Sequence, residues 1–224
     1  MNAAKDCTLQ EKLLRCAMAL ILAAGALLAS VAASPAYAAP STVDVSIGGK
    51  IPYGGFATTW MSADGNIAYC AEPSSPTPAP GSYSTSPVPS GDVTAAIWYS
   101  FGSPGFDASM FPGSWYDGGG WDDAKYAAAS HVLIAYAYSG SESAATHGTS
   151  AEFASWAKSE LIGGTFAKMK AGAGKVSAGF EAFCVRTGGG SQTLVSFSWS
   201  AGGVKVAKTD SEAGAEPQGD ASLD

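Results

Sequence analysis

The order of strand-like and helix-like segments is the feature that most constrains the fold. Alternating apolar and polar residues predict two strands over residues 41–60, separated by a turn at Gly48-Gly49, and a third over residues 67–70 after an Asp-Gly hairpin. Strand patterns return over residues 175–187 and 192–199, on either side of a glycine-rich hairpin. Because strand segments lie at both ends, the segments between them are expected to insert into one sheet or to pack against it.

The middle of the chain is predicted to be mostly helical. Residues 72–89 contain too many prolines for a helix or a central strand, so we expect a surface loop there. Helices are expected over residues 93–101 and 124–138, and the acidic pair Asp122-Asp123 opens the second, where the helix dipole favours negative charge. A further helix begins at the capping box Thr149–Glu152 and should end at a glycine pair. The predicted fold class is α+β, an antiparallel β-sandwich or barrel-like sheet with an inserted helical subdomain.

The first 38 residues have the features of a secretory signal peptide. Lys12 and Arg15 precede an apolar run, and Ala36-Tyr37-Ala38 forms a small-x-small cleavage site. No cluster of charges follows the run to stop transfer, so we expect cleavage, secretion and no membrane span afterwards. The expected organisation is a signal peptide over residues 1–38, one folded domain over 39–201 and the start of another unit over 202–224.

Charge and cysteine content narrow the classes of function. The formal net charge is −7, with only 12 Lys and Arg residues, which argues against nucleic acid as a partner. Cys70 and Cys184 are the only cysteines after residue 38. Cysteines of exported proteins normally pair, so one alternative is a Cys70–Cys184 disulfide, which would stabilise the fold by about 4–5 kcal/mol in the chain-entropy model. The spacing of cysteines and histidines does not suit a zinc site, and no cofactor is expected.

Three short motifs indicate another use of Cys70. They are Tyr69-Cys70-Ala71 at the end of a predicted strand, Ser130–Ala135 on the long predicted helix, and Ser191–Val195 near the last strand. The three motifs resemble those of the thioester domains found at the tips of Gram-positive surface adhesins and pili. The resemblance covers residues 43–199. It departs from the family pattern at Ser191, where the family has a hydrophobic residue, and at His131, where the family has glutamine.

The resemblance implies an internal thioester between the Cys70 sulfur and the Gln192 side-chain carbonyl. A thioester is an activated acyl group, so a lysine amine of a partner would attack it, leaving an amide on Gln192 and a free thiol on Cys70. The implied protein is secreted, attached to the cell wall or cell surface, and bound to a host or neighbouring-cell surface protein. Such a single acyl transfer is not enzymatic turnover. His131 would either polarise the thioester or the amine, or be a buried structural histidine.

Two other classes of function stay open on the sequence. With a Cys70–Cys184 disulfide, the domain would bind a glycan or a protein noncovalently. Trp115, Tyr116 and Trp121 would then form an aromatic platform for a sugar, although aromatic residues beside glycines also serve to hold a long loop onto a core. A hydrolase with Cys70 as nucleophile and His131 as base is less favoured, because such nucleophiles usually lie at a helix N-terminus that lowers the thiol pKa.

Residues 203–210 carry a second resemblance, to the first strand of the prealbumin-like repeats (SpaA or collagen-adhesin B type) of Gram-positive pilins. In those repeats a lysine on the first strand forms an isopeptide bond with an asparagine on the last strand. Lys208 matches the lysine, and the asparagine would lie beyond Asp224. The resemblance implies that a repeat stalk follows the thioester domain.

Overall fold

Six antiparallel strands close into a barrel in the order β1-β2-β3-β6-β5-β4 in the computed structural model, which describes residues 39–200. The helices lie between β4 and β5, so the predicted α+β class with an inserted helical subdomain is confirmed. The signal peptide predicted over residues 1–38 and the repeat strand containing Lys208 lie outside the described residues. The strands are Thr42–Tyr53 (β1), Phe56–Ala63 (β2), Asn66–Cys70 (β3), Gly81–Pro87 (β4), Phe180–Arg186 (β5) and Leu194–Trp199 (β6).

The inserted helices are organised around α2 (Asp123–Ser139). Asp122 caps this helix by accepting a hydrogen bond from the Lys125 backbone N–H at 2.9 Å, and Gly140 ends it in the left-handed conformation. Within residues 39–200 no helix is both long enough and apolar enough to cross a membrane. The other helices are α1 (Gly91–Tyr99), α3 (Glu142–Ala145), α4 (Ala151–Trp156) and α5 (Ala167–Ala171), with a π-helical segment at Ala157–Phe166 and 3₁₀ turns at Ala108–Met110 and Ala173–Lys175.

The first turn of the barrel lies later in the chain than predicted. β1 passes through Gly48-Gly49, because a bulge in its pairing with β2 absorbs one extra residue. The chain turns instead at Gly54-Gly55, where both residues have positive φ. Gly54 is also packed so tightly that an added Cβ would lie 2.4 Å from the Phe153 ring. The predicted hairpin at Asp64-Gly65 is confirmed, with φ angles of 49° and 79°.

Two predictions for the middle of the chain are wrong. The proline-rich segment 72–89 is not wholly a loop, because its proline-free stretch from residue 81 to 86 lies in β4. β4 pairs with both β1 and β5 and so closes the barrel, a long-range requirement that local proline content does not show. The glycine pair Gly163-Gly164 does not end a helix, since the π-helical segment runs through it to Phe166.

The wall of the barrel separates two apolar cores. One core contains Cys70 with Met61 and Leu194, and it lies inside the barrel. The other contains Tyr69 and Cys184, on the opposite faces of the strands, and it packs against the inserted helices. Successive side chains of a strand point to opposite faces, so the neighbours Tyr69 and Cys70 belong to different cores. The end of β3 therefore connects the barrel interior with the helical layer.

Candidate functional site

The pairing of β3 with β6 brings Cys70 and Gln192 together. Cys70 is paired with Leu194, and the ladder continues one step further, where the Ala71 backbone N–H donates to the Thr193 carbonyl at 2.9 Å. Gln192 precedes this last rung, just before β6 begins. Its side-chain Oε1 is in direct contact with the Cys70 Sγ, although the two residues are 122 positions apart. The structure thus places the sulfur beside the carboxamide that the sequence motifs select.

Backbone contacts hold Gln192 from both sides. Its N–H donates to the Pro76 carbonyl at 3.0 Å, and its carbonyl accepts from the Thr187 hydroxyl at 2.7 Å. The next residue, Thr193, donates its N–H to the Glu72 carboxylate at 2.8 Å. The proline-rich loop before β4 therefore fixes the position of Gln192, which gives that loop a role at the site.

Burial controls the chemistry of the Cys70 thiol. Cys70 and Gln192 are each 4% exposed. Removal from water raises the pKa of the Cys70 thiol to about 12, although a hydrogen bond from the Glu72 backbone opposes the rise. The sulfur is consequently a neutral thiol near neutral pH and a weak nucleophile toward external electrophiles. A buried acyl bond to this sulfur would be shielded from bulk water for the same reason.

His131 supports Cys70 through the backbone. It lies on α2, is 2% exposed, and accepts the Cys70 backbone N–H at Nδ1 over 3.0 Å. Burial lowers the pKa of this imidazole to about 3, so the ring is neutral and its proton is on Nε2. The Thr58 hydroxyl lies 3.3 Å from Nδ1 and 3.4 Å from Nε2, and the Tyr69 ring packs edge-on at 5.0 Å. A Cys-His nucleophile pair requires a hydrogen bond between the ring and the sulfur. Among the described residues the His131 ring makes no such bond to the Cys70 sulfur.

Ser130, next to His131 in the helix motif, has a separate role. Its hydroxyl accepts the Phe101 backbone N–H at 3.0 Å, and the Tyr69 hydroxyl donates to the Phe101 carbonyl. These two bonds attach the turn after α1 to α2 and to β3. Tyr69 and Ser130 therefore both bind the backbone of Phe101 and hold the scaffold together. Their neighbours in the sequence, Cys70 and His131, lie at the site.

A small cavity opens onto the Cys70–Gln192 contact. Its volume is about 60 Å³. Thr58 and Tyr53 contribute to its wall, and neither was selected from the sequence, because both lie in ordinary strand patterns. The only feature of the local sequence that could have indicated a role for Tyr53 is its position directly before Gly54-Gly55. The remaining lining residues are Phe56, Ala57, Pro73, Ser75, Thr77 and His131.

The alternative Cys70–Cys184 disulfide is not formed in the structure. Both cysteines are free and buried. β6 lies between β3 and β5, and neighbouring strands are about 4.8 Å apart, so the two Cα atoms are separated by about 10 Å, beyond the range of a disulfide. The side chains also lie in different cores, one inside the barrel and one outside it. The sequence could not show this, because it does not reveal which strand separates the two cysteines.

The aromatic residues Trp115, Tyr116 and Trp121 do not form an exposed platform. Trp115 is 4% exposed and packs on Phe153 at 5.6 Å. Trp121 stacks on Tyr126 at 4.7 Å and donates its indole N–H to a backbone carbonyl at 2.8 Å. Tyr116 is partly buried against the same cluster. The cluster holds the long segment after α1 onto the helices, which is the other role considered for it.

Comparison with known proteins agrees with the motifs. The model of one protein family, described as a thioester domain, matches residues 42–164, which is more than half of the chain and includes Cys70 and His131. Gln192 lies beyond the matched residues, so its assignment depends on the contact described above. Neither a curated protein nor a solved structure matches the chain. The family match supports an adhesin-like role in covalent attachment in general terms. The chain belongs to the thioester-domain family.

Proposed function

We propose that Cys70 and Gln192 form an internal thioester, and that a lysine amine of a partner surface protein attacks it, so that the two proteins become covalently joined. The observation that carries this proposal is the contact between the Cys70 sulfur and the Gln192 carboxamide in a buried site of a thioester-domain chain. The two groups that the reaction must join are therefore adjacent in the folded chain.

The proposed chemistry has two steps. In the first, the Cys70 sulfur attacks the side-chain carbonyl carbon of Gln192, the S–H proton passes to the departing nitrogen, and ammonia leaves. In the second, a partner's neutral lysine amine attacks the same carbon, the C–S bond breaks, and the proton lost by the amine ends on the Cys70 sulfur. The products are an amide linking Gln192 to the partner and a free Cys70 thiol. Because burial raises the pKa of that thiol to about 12, the sulfur must receive the proton released by the amine as the C–S bond breaks and leaves as a neutral thiol.

The site residues support the reaction by position. The His131 hydrogen bond to the Cys70 backbone fixes the end of β3, while the neutral ring adds no charge beside the sulfur. The loop over residues 73–80 contacts Gln192 through the Pro76 carbonyl, and a small cavity opens onto the Cys70–Gln192 contact. A partner must therefore present a thin, extended group such as a lysine side chain.

The setting that we propose for this reaction is the outer surface of a Gram-positive cell. The apolar segment before Ala36-Tyr37-Ala38 would direct secretion, and cleavage would follow Ala38. The sequence around Lys208 would begin a prealbumin-like repeat that carries the domain away from the cell wall. The partner is then a protein of a host or a neighbouring cell, and the reaction is a single event and not a catalytic cycle.

Intact mass measurement tests the thioester directly. The chain from Ala39 onward is measured without reduction, before and after incubation with methylamine. We expect an initial mass lower than that of the sequence by one ammonia molecule, followed by a gain of one methylamine. Gln192→Glu, which keeps the shape of the side chain, should abolish both changes, because a carboxylate is not displaced by the thiol. Gln218→Glu is the matched control, since it changes the other glutamine after residue 38, and it should react as the parent chain does.

The outcomes separate the functions considered for this chain. A full-sequence mass with no methylamine gain would refute the thioester, and binding would then have to be noncovalent. A mass lower by two hydrogens would indicate a Cys70–Cys184 disulfide and would contradict the separation of the two cysteines in the barrel. Repeated hydrolysis of an ester or amide substrate, lost on His131→Ala, would instead indicate an enzyme.

A further inference from the structure

Tyr53 is a nearly buried tyrosine beside the candidate site, and its hydroxyl has no partner among the described residues. It ends β1 directly before the Gly54-Gly55 turn, and the residue is 5% exposed. Its ring is fixed by edge-on contact with Phe56 at 5.8 Å and by the tilted Phe153 ring at 5.3 Å. Within residues 39–200 its hydroxyl makes no hydrogen bond, and the residue lines the cavity that leads to Cys70. The hydroxyl is not one of the fully buried polar atoms that lack a partner, so it reaches solvent and can donate to a group that enters the cavity.

The other buried polar side chains of the cavity already have partners. Thr58 and His131 contact each other, and His131 also accepts the Cys70 backbone N–H. Gln192 is in contact with the Cys70 sulfur. Ser75 and Thr77 lie toward solvent, where water can serve them. Tyr53 is therefore the nearly buried residue of the cavity wall whose hydroxyl is still available to a reacting group.

The protonation state of Tyr53 suits a donor. Burial raises the pKa of its phenol, and the nearby Cys70 raises it further. The group consequently keeps its proton at any pH at which the protein would work. It can donate a hydrogen bond to a developing negative charge, but it does not act as a base under these conditions.

We propose that the Tyr53 hydroxyl donates a hydrogen bond to the acyl oxygen of Gln192 while an amine attacks the thioester. This proposal rests on the proposed function. Attack of the amine nitrogen on the carbonyl carbon moves the electron pair of the C=O bond onto oxygen, which becomes an oxyanion. When the oxyanion collapses, the C=O bond forms again, the C–S bond breaks, and the sulfur takes the proton that the amine releases. A donor placed at the oxygen stabilises the charged intermediate more than the neutral thioester and so accelerates the reaction.

Tyr53→Phe tests this role, since it removes the hydroxyl and keeps the ring. We expect the thioester to form more slowly, because attack of Cys70 on Gln192 passes through the same oxyanion. Among the molecules that lack ammonia in the intact mass, the second-order rate constant with methylamine should fall about 100-fold. Tyr116→Phe is the matched control, because Tyr116 packs on the same Phe153 at 5.3 Å but does not line the cavity. Its rate constant should equal that of the parent chain.

Slow hydrolysis of the thioester provides a second readout. Attack by water passes through the same oxyanion, so Tyr53→Phe should slow hydrolysis as well as aminolysis. Unchanged aminolysis in the Tyr53→Phe chain would overturn the proposal. Faster hydrolysis would also overturn it, since Tyr53 would then act only as a shield against water. If the mass of the parent chain is never lower by one ammonia molecule, the thioester hypothesis itself is refuted. If the parent reacts with methylamine and the Tyr53→Phe chain reacts equally fast, only the role of Tyr53 is refuted.

Discussion

Replacing His131 by glutamine should remove a large part of the acid sensitivity of this domain. His131 is 2% exposed, and burial lowers its imidazole pKa from 6.5 to about 3. In the unfolded chain the ring is in water and takes up a proton at its ordinary pKa. Between these two values the unfolded state binds more protons than the folded state, so the free energy of unfolding falls as the pH falls.

The size of the effect follows from the shift. Each pKa unit corresponds to about 1.4 kcal/mol, so the buried imidazole lowers the free energy of unfolding by about 3 kcal/mol at pH 4 and by about 5 kcal/mol once the pH is below 3. Single domains are commonly stable by about 5–15 kcal/mol, so this group alone can bring the domain close to unfolding in acid. Glutamine does not titrate, and its carbonyl can accept the Cys70 backbone N–H, so His131→Gln should keep the contact and lose the pH dependence.

Urea unfolding followed by tryptophan fluorescence measures this difference. Parent and His131→Gln chains are compared near neutral pH and near pH 4. Both carry Cys70→Ala, which keeps the backbone N–H and prevents a thioester from making unfolding irreversible. We expect the parent to lose about 3 kcal/mol more than the variant on acidification. His147→Gln is the control, because His147 is exposed. The reasoning is refuted if the His131→Gln chain loses stability in acid as steeply as the parent, or if His147→Gln has the same effect.

Two further predictions concern the cavity and the second cysteine. Because the cavity has a volume of only about 60 Å³, methylamine should react at least about tenfold faster than tert-butylamine, as measured by mass gain over time, and equal rates would show that the site opens widely. Cys184 lies in the helix-facing core, away from Gln192, so Cys184→Ala should lower the free energy of unfolding by about 1 kcal/mol in urea titration and leave the methylamine rate unchanged. A lost methylamine reaction in that variant would contradict the separation of the two cysteines.

Local patterns predicted those parts of the fold that local interactions determine. The Asp64-Gly65 hairpin and the helix opened by Asp122 were predicted because turn conformation and capping depend on a few adjacent residues. β4 was missed, since its strand conformation comes from pairing with β1 and β5, which are distant in sequence. The turn at Gly54-Gly55 was assigned to an earlier glycine pair, because a bulge and a turn have similar composition.

The residues of the candidate site also differ in whether local sequence could identify them. Cys70, His131 and Gln192 were selected through motifs, and the structure brings the three together. Tyr53 was not selected, because it reaches the cavity only through the register of β1 and the position of the turn after it. The choice between Gln192 and Cys184 as the partner of Cys70 also needed the strand order, which places β6 next to β3 and β5 one strand further away.

The position of Gln192 next to β6 has a mechanical consequence. β6 is the last strand before residue 200, so a partner bonded to the Gln192 side chain would be joined to the following chain through this one strand. Tension between the partner and the proposed stalk would then run along the covalent backbone of β6 and would bypass the other strands and the inserted helices. The remainder of the domain would carry little of the load, and its unfolding under force would not release the partner.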